Sequence, residues 1–83
     1  MTTRFRILYF AQARSAVGIQ SEEMVLDHSP SVSFVLEEVF RLHPSLRKLQ
    51  EGLRVAINEV VVLETEIVKD QDRVAFLPMV VGG

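Results

Sequence analysis

Pro30-Ser31-Val32-Ser33-Phe34-Val35-Leu36-Glu37-Glu38-Val39-Phe40-Arg41-Leu42 reads as the main helix of the chain. Val32, Val35, Leu36 and Val39 recur at the i, i+3, i+4, i+7 spacing of one buried face, and Leu42 extends it. Ser31 stands where an N-cap hydroxyl takes up an orphan backbone N–H. Pro44 disfavours helical geometry at His43, which stops the helix at about Leu42. Such a helix has one apolar stripe to cover, and the flanking sequence supplies strands to cover it.

Upstream, Arg4-Phe5-Arg6-Ile7-Leu8-Tyr9-Phe10 is rich in aromatic and β-branched residues and reads as a first strand. Phe5, Ile7 and Tyr9 share one face; Leu8 and Phe10 fall on the other, which begins with Arg4 and Arg6. Ala11 to Val17 forms a short helix closed by Gly18, and Ser21 to Leu26 is a second strand that pairs hairpin-fashion with the first. Downstream, Ser45 to Gly52 is a polar connection with one helical turn. Arg54 to Asn58 is a third strand with Val55 and Ile57 inward, and Val60 to Leu63 a short fourth strand or a strand extension. Lys69 to Asp72 is a turn into a last strand, Arg73 to Leu77, with Val74 and Phe76 inward and Arg73, Ala75 and Leu77 outward. The expected fold is a single α+β domain over residues 1–83: a mixed four- to five-stranded sheet packed on one main helix.

At 83 residues there is room for one modest core that buries roughly 60% of the unfolded surface. No apolar stretch approaches the roughly 18 residues of a membrane span, and the start of the chain lacks the pattern of a signal peptide, so a cytoplasmic, membrane-independent protein is expected. Cysteine is absent, which removes disulfides, thiolate nucleophiles and thiolate metal sites. A net charge of −2 with nine scattered basic residues gives no stripe for nucleic acid. His28 and His43 read as solvent-facing loop or helix-end residues, and Asp70 and Asp72 as an acidic turn, so no metal site and no bound cofactor are expected.

The apolar run Val74 to Val81 leads to Gly82-Gly83, two glycines that make a thread of backbone slim enough for a slot that admits no Cβ. The reactive group this suggests is the α-carboxylate of Gly83. Five steps separate Pro78 from Gly83, a reach of roughly 17 Å when extended. In this reading the tail from about Pro78 stands outside the core. Pro78, Val80 and Val81 rest against the walls of a partner's pocket, and Gly82 and Gly83 occupy its narrow end; the alternative is an ordinary frayed terminus. Alternation leaves Phe10 and Leu77 outward, as an interface requires. The alternative for Phe10 is packing beneath the helix that follows it. Arg14 lies near the same end, and either bonds a partner or caps local backbone.

Taken together, Leu8-Tyr9-Phe10-Ala11-Gln12-Ala13-Arg14 with Gly18, Pro30-Ser31-Val32, Val55-Ala56-Ile57-Asn58, and Lys69 to Pro78 running into Gly82-Gly83 resemble the small subunit of molybdopterin synthase, a ubiquitin-like sulfur carrier of β-grasp fold. The chain departs from that pattern at Ser15, where the family usually has Glu, at Gln71, where it has Gly, and at Met79, where it has a second Pro. Gln71 is expected to alter its turn, and Met79 to loosen a tail that proline would stiffen. The resemblance implies that an activating enzyme of ubiquitin-activating type adenylates Gly83 with ATP, and that a sulfur donor converts the adenylate to a thiocarboxylate. The loaded tail then enters the large synthase subunit and gives its sulfur to cyclic pyranopterin monophosphate, in molybdenum cofactor biosynthesis. It implies a heterotetramer of two small and two large subunits, catalytic residues on the large subunit, and an apolar docking surface at Phe10, Val61 and Leu77. Related carriers for thiamine, cysteine or tRNA thiolation, protein-conjugating modifiers, and ubiquitin-like binding modules without chemistry are the alternatives.

Overall fold

The computed structural model describes residues 2–79. Its elements in chain order are β1 (Thr3–Tyr9), α1 (Ala11–Val17), β2 (Ser21–Leu26), α2 (Val32–Leu42), a 3-10 helix (Pro44–Gly52), β3 (Leu53–Ile57), β4 (Val60–Val62) and β5 (Arg73–Pro78). The five strands form one sheet in the order β2-β1-β5-β3-β4. β1 and β5 run parallel at its centre, and every other pairing is antiparallel. The expected mixed sheet with one main helix is therefore present, with five strands.

Period-2 alternation delivers the sheet half of the core. Phe5, Ile7 and Tyr9 from β1, Val74 and Phe76 from β5 and Val55 from β3 are buried in one cluster with Val32, Val35, Val39 and Phe40 of α2. Ser31 caps α2, its hydroxyl accepting from the Phe34 N–H at 3.1 Å. Gly18 ends α1 at φ 89°, a left-handed conformation that glycine adopts without penalty.

Three features differ from the sequence reading. Leu42 is exposed, and Phe40 takes its place in the core. The two lie on opposite flanks of the helical stripe, and the chain after α2 folds over the Phe40 side, with the Arg47 guanidinium 4.9 Å from that ring's centroid. Pro44–Gly52 is an ordered 3-10 helix rather than a loop with one turn, and it buries Leu46 completely. The segment between β4 and β5 also joins the core through Val68. It serves the start of α2: the N–H groups of Val32 and Ser33 donate to the Glu66 and Glu64 carbonyls at 2.8 and 3.0 Å, and the Val68 N–H donates to the Pro30 carbonyl at 2.8 Å.

The acidic turn is held by its own carboxylates. Asp70 Oδ1 accepts from the Arg4 N–H at 2.8 Å, while Asp72 accepts from the Lys69 N–H at 2.8 Å and from Asn58 Nδ2 at 2.9 Å. Gln71 sits at φ 71° and its N–H donates to the Arg4 carbonyl at 2.6 Å. The turn thus forms with a residue other than glycine in the left-handed region.

Candidate functional site

α2 covers one face of the sheet, and strand register assembles a site on the other. Leu8 pairs with Ala75, Ala75 with Ala56, and Ala56 with Val61, so four apolar side chains form one row across β1, β5, β3 and β4. The two alanines in the middle keep the floor low, while Leu8 and Val61 stand at its ends. Phe10 and Leu77 bound the row on one side, and Arg73 and Glu59 on the other. The result is a groove of about 420 Å³ lined by these eight residues. Phe10 is 45% and Val61 60% exposed, so large apolar side chains lie together at this surface.

Phe10 reaches this face although β1 ends at Tyr9. It is the N-cap of α1 with φ −120° and ψ 152°, so the extended backbone carries the alternation one residue further. Its side chain lines the groove and does not pack beneath α1. Charge surrounds the apolar floor: Arg54 lies opposite Leu77, Arg6 opposite Arg73, and Arg73 approaches Glu59 at 3.5 Å.

β5 joins the groove to the end of the chain. Leu77 lines the groove, Pro78 pairs with Leu53 as the last residue of β5, and the Met79 N–H donates to the Gly52 carbonyl at 2.8 Å. That bond holds the backbone at Met79 itself. Val80, Val81, Gly82 and Gly83 lie outside the described residues. Of the other residues singled out from sequence, Phe10, Val61 and Leu77 come together in one groove. Arg14 does not join them: it is exposed on α1, outside the groove lining, and its guanidinium bonds none of the described residues. The alternation already placed Leu8 and Ala75 on this face. Alternation with Val55 and Ile57 inward puts Ala56 on this face as well, whereas Glu59 carried no comparable signal, because its placement depends on the β3–β4 turn.

A polar cluster lies elsewhere. Tyr9 Oη donates to Glu22 Oε2 at 2.5 Å, and His43 Nε2 meets the same oxygen at 2.6 Å. The Tyr9 ring stands edge-on to His43, with centroids 5.8 Å apart. Burial, then the hydrogen bond to Glu22 and that carboxylate's charge, push the Tyr9 phenol far above its ordinary range. His43 is thus mostly enclosed rather than solvent-facing, and it pins the end of α2 to β2. His28 remains half-exposed beside Asp27. Among the described residues no three His, Asp or Glu side chains gather as a metal site.

Comparison with known proteins agrees with this architecture. The ThiS family model matches residues 7–83. The molybdopterin synthase sulfur carrier subunit of Escherichia coli is 33% identical, the match covering 94% of this chain and 98% of that one. The corresponding subunit of Chlamydomonas reinhardtii is 28% identical over 96% of this chain and 99% of its own. Among solved structures, a putative molybdopterin converting factor, subunit 1, from Pyrococcus furiosus superposes with a TM-score of 0.84 at 26% identity, over 94% of this chain and 99% of that one. Small archaeal modifier protein 1 of Haloferax volcanii shares the fold at a TM-score of 0.83 and 19% identity, over 94% and 99% of the two chains. With a family model spanning nearly the whole sequence and a β-grasp sheet beneath it, the chain belongs to the ThiS family of ubiquitin-like proteins.

Proposed function

We propose that this chain is the sulfur carrier subunit of a molybdopterin synthase, and that the groove of Leu8, Phe10, Ala56, Val61, Ala75 and Leu77 seats the large subunit. The observation that carries this reading is the continuity of that groove with β5, the strand that leads toward Gly82-Gly83. A partner docked on the groove has the end of β5, at Pro78, beside it. Curated relatives named as sulfur carrier subunits of molybdopterin synthase support the choice of pathway.

The chemistry proposed is that of a sulfur carrier, as its relatives are named, with the Gly83 carboxylate as the reacting group. A carboxylate is a poor electrophile, so an activating enzyme first transfers AMP from ATP to the Gly83 carboxylate and releases pyrophosphate. Sulfur at the sulfide level, delivered by a donor protein, then attacks the acyl carbon, breaks its bond to AMP and leaves a thiocarboxylate. This is a sulfur nucleophile that a cysteine-free chain can carry. Pro78, Val80 and Val81 line the path into the large subunit, and the side-chain-free Gly82 and Gly83 fit its narrow end. Sulfur passes there to cyclic pyranopterin monophosphate. This chain is the carrier, ATP is used by the activating enzyme, and the catalytic residues belong to the large subunit of a heterotetramer.

The test is to produce the chain together with its own activating enzyme and sulfur donor, treat it with a thiol-alkylating reagent, and map the adduct by mass spectrometry. An adduct on Gly83 supports the carrier. Mapping is needed because sulfur in place of oxygen nearly matches the mass of an oxidised methionine. No adduct in protein shown to have met ATP, donor and activating enzyme overturns the reading in favour of a modifier or a plain binding module.

A further inference from the structure

Gly52 ends the 3-10 helix and lies against the last described residue of the chain. Its carbonyl accepts the Met79 N–H at 2.8 Å, one step beyond the Leu53–Pro78 pair that closes the β3–β5 ladder. A Cβ built on Gly52 falls 2.8 Å from the Met79 carbonyl oxygen. That atom is backbone, so no side chain can swing aside to relieve the contact. Any residue but glycine at position 52 displaces the backbone at Met79 or breaks the bond.

We infer that Gly52 is a positioning residue for the carboxyl-terminal tail: its missing Cβ and its carbonyl together fix the point and direction at which the backbone leaves the sheet toward Gly83. This rests on the carrier reading proposed above. Four residues separate Met79 from the terminal carboxylate, a span of at most roughly 13 Å. A carboxylate delivered at the end of that span must meet the α-phosphate of ATP in near-attack geometry, where misplacement by about 1 Å can cost about a hundredfold in rate. Releasing the Met79 rung removes the last described tie between the chain and the sheet and shifts the point from which the path to Gly83 starts. The exposed apolar groove of Leu8, Phe10, Ala56, Val61, Ala75 and Leu77, the surface we assign to docking of both the large subunit and the activating enzyme, does not include Gly52. Docking and delivery are therefore separable in this chain.

The experiment is a kinetic split with the source organism's own activating enzyme, measuring ATP–pyrophosphate exchange as the concentration of this chain is varied. Gly52→Ala is expected to lower kcat at least fivefold and leave KM within twofold, while Met79→Ala, which keeps its N–H, behaves as wild type. In parallel, hydrogen exchange of the wild-type Met79 amide is expected to be slowed at least tenfold relative to an unstructured peptide. A Gly52→Ala chain with wild-type kcat, or an unprotected Met79 amide, overturns the inference, as does a loss confined to KM. If Gly52→Ala fails to fold, the amide measurement decides alone. A wild-type chain that supports no exchange with an enzyme shown to be active overturns the carrier reading itself, and the inference with it.

Discussion

Leu77 of β5 lies directly opposite Arg54 of β3 on the face of the sheet that α2 leaves open. The apolar side chain belongs to the groove, and the guanidinium stands at its border. Leu77→Arg therefore puts two positive charges opposite each other and removes part of an apolar wall. Like charges across a strand pair are unfavourable by a few tenths of a kcal/mol to about 1 kcal/mol, a small fraction of a domain's stability. Loss of a desolvated contact near the centre of an interface costs more, about 2 kcal/mol or above. Titration calorimetry with the large subunit is expected to show at least a tenfold weaker complex, with the thermal midpoint of the isolated chain lowered by only a few degrees. Phe10→Arg should behave alike; a mutant that unfolds instead shows that the side chain supports the core.

Tyr9 gives a pH-dependent prediction with a defined sign. Its phenol is raised in the folded state above the ordinary value of 10.0, first by burial and then by its bond to Glu22. A raised folded value means that the contribution is fully present below pH 10.0 and is lost as pH climbs above it, since the unfolded chain ionises there and the folded one resists. Urea unfolding between pH 7 and 11 should show wild type losing stability above pH 10 more steeply than Tyr9→Phe. Below that range the variant is weaker by about 1.5–3 kcal/mol, the usual worth of a hydrogen bond to a charged group. Tyr9 is the single tyrosine, so phenolate absorbance reports on it alone. An absorbance rise near pH 10 in still-folded protein contradicts the assignment.

Gln71 occupies left-handed backbone, φ 71°, in the turn before β5. A residue with a Cβ loses roughly 1–2 kcal/mol there, whereas glycine avoids the strain but surrenders about 0.5–1 kcal/mol in chain entropy. The difference favours glycine slightly. Gln71→Gly is expected to raise stability by up to about 1 kcal/mol in denaturant melts, with binding to the large subunit unchanged because Gln71 lies outside the groove.

Much of this organisation was legible in the sequence, because local rules govern it. Alternation gave the faces of Phe5, Ile7, Tyr9, Val74 and Phe76, and capping chemistry gave Ser31 and Gly18. What was hidden depends on contacts distant in sequence. Alternation gives the face of Ala56, but that it stands beside Ala75 in the floor of the groove depends on the register in which β3 pairs with β5. Glu22 and His43 are 21 positions apart and carry no motif, so their bond waits on the packing of α2 against β2. The tie between Gly52 and Met79 is likewise a product of tertiary pairing, which no local pattern announces.

Leu46 is the strongest case of a core residue concealed by polar neighbours. It lies between Ser45 and Arg47 in a segment of low hydrophobicity, yet it is fully buried in the core cluster, in a segment that packs against α1 and α2. Leu42, on the periodic stripe of α2, is 48% exposed. The helical pattern alone ranks Leu42 as the more important; burial reverses the order. Truncating a buried leucine to alanine costs about 2–5 kcal/mol, the transfer of its methyl groups plus the cavity they leave. The same change at a half-exposed position removes little area from an already hydrated side chain, so a loss of about 1 kcal/mol or less is expected. For a domain of this size about 1 kcal/mol shifts the melting midpoint by roughly 4–8 °C. Leu46→Ala should therefore lower the midpoint by about 10 °C or more, and Leu42→Ala by only a few degrees. Calorimetric melts of the two variants side by side decide the matter. Equal midpoints mean that the 3-10 segment is not the lid of the core, because truncating a true lid residue must cost more than truncating one that water already reaches.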